Sequence, residues 1–405
     1  QVSQRMDAIA LSYRRTATGG DPGCEAFDHR KLGAALVDPE NDTTWSTLVA
    51  EADRVAASCV ARAGHIATWQ RAKDMEMLRE ALGEPRFYLL ASLEGSWVAG
   101  WYASTYPQST GRVLVDQGFD FGQRWDVHFT EVPYGFERAL WSHALRPAAE
   151  ADHRWRLGSS PDDIRSRLLS IPLALRMRWS RLIWEPADLM AAVDVAAMYE
   201  GHTAGEGGRS TLMAQVEAHR FTPDDADDLA ARRAAHALVQ ALPENTNDML
   251  PTDGFVPTTS TALLCNDTPW TMDSDEIRDW VRDASSRWTL WNAQSVRAGL
   301  ICRHWPRSGQ AKPPVANMAT LPSVLLLHYS QQKKVPLWSA EQVLGELPNA
   351  RLVVAQGTSH TGVLDKSLPC ASRLGARYLL TGEAPAESRT ICSPDAKEPI
   401  GNDNR

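Results

Sequence analysis

Between Phe87 and Asp116 the sequence changes its apolar pattern in an order that few folds accommodate. Phe87 to Leu90 is a short apolar run, Ala91-Ser92-Leu93-Glu94-Gly95 is a stretch with little bulk at its ends, Val98 to Ala103 is small and apolar, and Arg112 to Asp116 is apolar again. Short runs of this kind bounded by turn residues predict strand, tight turn, buried helix and second strand. Two strands joined through a helix make a βαβ unit, for which a right-handed crossover is expected. Upstream, Trp69, Ala72, Met75, Leu78 and Leu82 recur at helical spacing until Gly83-Glu84-Pro85 interrupts them, which predicts an amphipathic helix leading into the unit.

The same alternation is expected on either side. Asp7 to Ser12 reads as a buried parallel strand running into the turn-rich Thr16 to Gly23. From Tyr134 to Ala241 strand signals vanish, and helix starts are marked by Ser160-Pro161-Asp162-Asp163 and Thr222-Pro223-Asp224-Asp225. That region predicts a helical insertion, in which the carboxylates of Asp224 to Asp228 serve a helix N-terminus rather than a metal. Beyond Pro251 to Ser260, Thr261 to Cys265 reads as a strand. It is followed by a Trp-rich helix over Asp275 to Trp291, strand Ser323 to His328, helix Ser339 to Leu347, strand Arg351 to Ala355 and helix Cys370 to Gly382. The expected division is a first core part over residues 1–133, a helical lid over 134–257, a second core part over 258–392 and a disordered tail over 393–405.

Composition removes whole classes of function. A formal net charge of -8 with scattered basic residues argues against nucleic acid as a partner. No run of about 18 apolar residues is present, so no membrane span is expected. None of the six cysteines falls in Cys-x-x-Cys spacing, so neither a zinc site nor a dithiol redox motif is predicted, and no metal or cofactor is implied. Disulfides are the better reading than free buried thiols. The chain opens on Gln1, without initiator Met or signal peptide, so a processed or incomplete chain is expected.

Specific motifs then point to a family. Arg79-Glu80-Ala81-Leu82-Gly83-Glu84-Pro85 and Tyr102-Ala103-Ser104-Thr105-Tyr106-Pro107 flank the tight turn. Cys265-Asn266-Asp267-Thr268-Pro269-Trp270, Cys302-Arg303-His304-Trp305-Pro306, Leu347 to Val354 and Gly357-Thr358-Ser359-His360 follow in order. With them the chain resembles the secreted bacterial tripeptidyl aminopeptidases, serine peptidases of the α/β-hydrolase fold. The likeness is weakest over residues 157–251. It implies a mostly parallel sheet with a helical lid, an extracytoplasmic location, and disulfides pairing Cys24 with Cys59, Cys265 with Cys302 and Cys370 with Cys392. Members often carry one further cysteine pair near the start of the lid. Trp141-Ser142-His143-Ala144 and Trp155 lack both halves, so cysteines are lost two at a time.

The resemblance also implies what is missing. In this fold the nucleophilic serine occupies a strand-to-helix turn, G-x-S-x-G, and ungapped alignment puts Leu93 there. Anchoring on Val335-Pro336 puts Gln332 at the position of the triad acid, where a neutral side chain costs roughly 10⁴ in turnover. His360 alone keeps the family residue. The Ser12 to Gly19 turn retains only Arg14 and Thr16 of the family's pattern, and a His-Gly-Gly-Pro-Gly type oxyanion loop, expected before Asp7, is not in the sequence. Its strand would lie between the Asp7 and Phe87 strands, so a gap in mid-sheet is expected, together with a missing N-terminal segment. The expectation is a degenerate, inactive hydrolase relative retaining a cleft for a peptide or small molecule. The alternative is an active hydrolase recruiting Ser92, expected to face the core, or Ser96, in the first helical turn, with His360. An isomerase or cyclase using His360 is a third reading.

Overall fold

The structure is a computed structural model that describes residues 5–11, 25–63, 66–180, 182–199, 206–242, 258–287, 293–305, 312–332, 335–357 and 369–393. Helices α1 (His29–Val37), α2 (Asp42–Ala63) and α3 (Thr68–Leu82) open the fold. The third ends where its sequence predicts, on Gly83 in the left-handed conformation with φ 69°. The βαβ unit follows as β1 (Phe87–Leu93), α4 (Gly95–Thr105) and β2 (Thr110–Gly118). α5 (Trp125–Leu140) then leads through a single π turn, Trp141–Leu145, into the helical region.

That region comprises α6 (Arg146–Glu150), α7 (Asp152–Trp155), α8 (Pro161–Ser170), α9 (Leu173–Trp179), α10 (Pro186–Tyr199), α11 (Glu206–Ala218) and α12 (Asp225–Gln240). It surrounds its own core, in which Leu140, Ile164, Trp179, Leu189, Val195, Leu212 and Leu238 are buried. Both predicted starts are capped: Ser160 accepts the Asp163 N–H and Asp224 accepts the Ala226 and Asp227 N–H groups. The neighbouring acids are engaged structurally, Asp227 with Arg154 and Asp228 with Arg232 and the Phe221 N–H.

Next come α13 (Thr258–Asp267), α14 (Ser274–Arg287) and α15 (Ala293–Cys302), packed with α1 and α2 around a second helical core. Thr261 to Cys265 is therefore helix, not strand. An apolar run this short does not reveal its own period, and packing beside α15, with Cys265 bonded to Cys302, decides it. The chain closes with β3 (Val324–Tyr329), α16 (Leu337–Glu346), β4 (Ala350–Ala355), α17 (Pro369–Thr381) and β5 (Arg389–Cys392). The expected tail beyond Ser393 lies outside the described residues.

The five strands are parallel and pair in the order β1-β2-β3-β4-β5. One face packs on Trp97, Trp101 and Tyr102 of α4 and Ala340 and Val343 of α16, and the other on Ala371, Tyr378 and Leu379 of α17. Cover on both faces is what parallel strands require, and it explains the wholly buried Val324–Tyr329 run of β3. β1 differs, because Tyr88 and Leu90 on its α17-side face stay 47% and 57% exposed.

Two expectations about this sheet are corrected. Asp7 to Leu11 is not a strand but exposed chain, and Ser12 lies outside the described residues. The described sheet has no gap in its middle; β1 is simply an edge, because β2 and β3 pair directly and close the order on its other side. β5, an edge strand of four residues with no clear alternation, is not foreseen in the sequence.

Candidate functional site

The turn after β1 is built as its sequence demands. Leu93 has φ 48°, a left-handed conformation that a leucine adopts only against a steric penalty of about 1–2 kcal/mol. Glu94 returns to helical angles and Gly95 opens α4. The conformation is held from below by Ser96, which is fully buried. Its Oγ donates to the Leu93 carbonyl at 2.6 Å and accepts the Phe119 N–H at 2.9 Å. Gly118 makes room for this staple, since a Cβ there would meet Ser96 Cβ at 2.7 Å and Val115 Cγ1 at 2.1 Å. Pairing shifts from Ser92↔Asp116 to Leu93↔Gly118, so Gln117 bulges out of register with φ 54°. Two non-glycine residues in the left-handed region thus lie at the ends of adjacent strands, a concentration of strain of the kind found at functional sites.

Ser92 is exposed rather than turned to the core. The alternation along β1 does send it to the face opposite Leu93, as expected, but among the described residues no helix covers that face at the sheet's edge. Gln332 follows β3 and is buried, 7% exposed. Because all strands are parallel, Leu93, Gln117 and Gln332 share the carboxyl end of the sheet, where ligands bind in open α/β folds. The loops after β3 and β4 are tied together there. The Gln331 N–H donates to the Gly357 carbonyl at 3.2 Å, and the Gly357 N–H to Ser330 Oγ at 3.1 Å. His360 lies outside the described residues, as do Cys24, Arg14 and Thr16.

Beneath the turn, Asp267 at the end of α13 is fully buried. Its carboxylate accepts the Thr68 N–H at the start of α3 at 2.6 Å, the Thr68 hydroxyl, and Trp97 Nε1–H of α4 at 3.2 Å. Burial pushes its carboxyl up to about 6 despite those donors and the nearby Arg71. Neighbouring Asn266 accepts Trp305 Nε1–H at 2.7 Å and Thr268 Oγ1 accepts the Trp125 N–H at 3.2 Å. The Cys265 to Thr268 motif is therefore a polar anchor beneath the turn's helix, a role its sequence did not disclose.

Two histidines near the strand ends are electrically silent. Burial lowers His128 to about 3 between the rings of Phe119 and Trp125. Burial also lowers His328 to about 4, with Nδ1–H donating to the Tyr329 carbonyl at 2.7 Å. Nearby Asp120 is raised to about 6, chiefly by burial and also by Glu346 and Glu131, while the Gly122 N–H and Lys312 oppose the shift.

Above the sheet, α5 and α16 border an open cleft of about 570 Å³ lined by Glu131, Tyr134, Arg138, Trp338 and Gln342. A Cβ on Gly135 would come within 2.6 Å of the Pro336 ring and one on Gly122 would meet the Glu346 carboxylate, so the two helices run in opposite directions along the cleft. No sequence motif marks these residues.

Parallel strands, a strand-to-helix turn at Leu93 and helices on both faces define an α/β-hydrolase-fold protein. A family profile described as "TAP-like protein" matches residues 288–392. The chain is 23% identical over 352 residues to a tripeptidyl aminopeptidase of Streptomyces lividans, covering 84% of this chain and 62% of that protein. The Streptomyces coelicolor tripeptidyl aminopeptidase matches at the same identity, with 61% of it covered. The chain thus resembles the tripeptidyl aminopeptidase family and spans a little over three fifths of the length of these relatives. Among solved structures, the L374D mutant of esterase E22 matches at 12% identity and a TM-score of 0.31, covering 77% of this chain and 66% of that one.

Two of the three expected disulfides are present, Cys265–Cys302 and Cys370–Cys392. Cys59 is also disulfide-bonded, and Cys24, its expected partner, is outside the described residues. Among the described residues no helix is long and apolar enough to cross a membrane.

Proposed function

We propose that this chain is a catalytically silent relative of the tripeptidyl aminopeptidases, acting outside the cytoplasm as a binding protein on a hydrolase scaffold. One observation carries the reading: the strained turn is occupied by Leu93, whose side chain has neither a lone pair nor a proton to transfer. Gln332 at the acid position supports it, since an amide cannot stabilise an imidazolium as a carboxylate does. The disulfides support an oxidising compartment. Retained binding is supported by the cleft between α5 and α16.

The test is labelling of the purified protein with a fluorophosphonate, run beside turnover of N-terminally free tripeptide p-nitroanilides. Neither label nor release above background is expected. Stoichiometric labelling, or a rate abolished by His360→Ala, would overturn the proposal.

The exposure of Ser92 favours a second reading, in which that hydroxyl is recruited as nucleophile with His360. Labelling lost in Ser92→Ala would establish it. Ser96 is the weaker candidate because its buried Oγ already bonds Leu93 and Phe119.

A further inference from the structure

The cleft between α5 and α16 mixes two kinds of surface. On α5, Glu131, Tyr134 and Arg138 stand three and four residues apart and so share one helix face, with an axial rise of about 10 Å between the two charges. On α16, Trp338 and Gln342 are four apart and share the face across from them. Each wall thus carries an aromatic ring bordered by planar polar groups: a carboxylate and a guanidinium on one, a carboxamide on the other. Glu131 accepts the Gln123 amide at 3.3 Å, and it joins Glu346 and Lys312 in acting on the charge of nearby Asp120. Arg138 has no ion pair among the described residues.

The Glu131 end therefore favours a cation and the Arg138 end an anion, so a singly charged ligand satisfies one while opposing the other. An apolar ligand would strip water from both charges and return no hydrogen bond. A hydroxyl escapes this conflict, because it donates to a carboxylate, accepts from a guanidinium and carries no charge. Two buried atoms beside the cleft call for the same mixture: Trp338 Nε1–H lacks an acceptor and Gln123 Oε1 lacks a donor among the described residues. The faces of Tyr134 and Trp338, in turn, suit an apolar C–H surface. Hydroxyls around a rim and C–H groups on two faces describe a pyranose sugar.

We propose that this cleft binds a neutral saccharide, with one pyranose ring held against Tyr134 and Trp338 and its hydroxyls donating to Glu131 and accepting from Arg138. The volume of about 570 Å³ is within the usual range for small-ligand sites. The proposal rests on the reading that ligand binding survives on this scaffold, and it adds the ligand's chemical class.

Saturation-transfer NMR and titration with cellobiose and maltose test it, with benzoate and benzyltrimethylammonium as charged aromatic controls. At least one disaccharide is expected to bind saturably and more tightly than either control. Its affinity should be unchanged between about 0.05 and 0.5 M NaCl, since screening does not reach a neutral ligand. Arg138→Ala and Trp338→Ala should each weaken binding by about tenfold or more, the first through loss of a charged hydrogen-bond donor. Tyr134→Phe should preserve binding because the ring face remains, and Trp338→Phe should lose only the part due to the indole N–H; circular dichroism checks that each variant is folded. No saturable binding up to millimolar concentration, affinity that falls with salt, tighter binding of a charged control, or sugar binding indifferent to Arg138→Ala and Trp338→Ala overturns the proposal. Fluorophosphonate labelling reports only on the turn at Leu93, so failure here and failure of the catalytically silent reading are separable.

Discussion

Asp267 allows the energetics beneath the turn to be tested by pH. It is fully buried, and burial raises its carboxyl from 3.8 to about 6. The folded state therefore holds a proton that the unfolded chain releases, so this group's contribution to stability is greatest below about pH 4 and declines as pH rises through about 6. A displacement of that size corresponds to roughly 3 kcal/mol between the two limits, by order of magnitude. Asp267→Asn removes the charge but not all of the bonding. Its single oxygen cannot serve both the Thr68 N–H and the Trp97 indole, which approach different carboxylate oxygens, so one buried donor loses its acceptor at a cost of about 1–3 kcal/mol. The variant should thus be less stable than the wild type at pH 4.5, and the difference should shrink or reverse by pH 7.5, where the wild type carries a buried charge. Urea unfolding followed by far-UV circular dichroism at half-unit steps of pH measures it. A difference that stays constant across that range, or grows with pH, refutes the assignment of the burial penalty to Asp267.

Three further outcomes are expected. Leu93→Gly should leave urea stability within about 1 kcal/mol of wild type, because relief of the left-handed strain offsets lost packing of a half-buried leucine; a loss above about 3 kcal/mol would mean that the strain is small. Ser96→Ala orphans the Phe119 N–H and the Leu93 carbonyl and should lower stability by about 1–3 kcal/mol in the same assay, whereas a neutral result would show that the staple is not needed. The double variant Cys370→Ala/Cys392→Ala opens a loop with a sequence separation of 22 and should lose about 3 kcal/mol, and unchanged stability would show that β5 is held by its pairing to β4 alone.

The sequence by itself determined the parts whose information is local. The turn at Leu93 follows from an apolar strand, a flanking glycine and an apolar helix in immediate succession, and the capped starts at Ser160 and Asp224 follow from side chains bonding amides two or three residues on. Order along the chain also sufficed to bring Leu93 and Gln332 to one end of the sheet, since parallel strands leave their carboxyl ends together. Tertiary structure decided what depends on neighbours distant in sequence. Thr261 to Cys265 became helix because α15 lies beside it, and Ser92 is exposed because β1 is the edge of the described sheet. Asp267 reads in the sequence as one acid among many. Only packing brings it against Thr68, 199 residues away, and Trp97, 170 residues away, where desolvation gives its charge a thermodynamic weight that no local pattern encodes. Glu131, Arg138 and Trp338 likewise become a cleft only when α16 is laid antiparallel to α5.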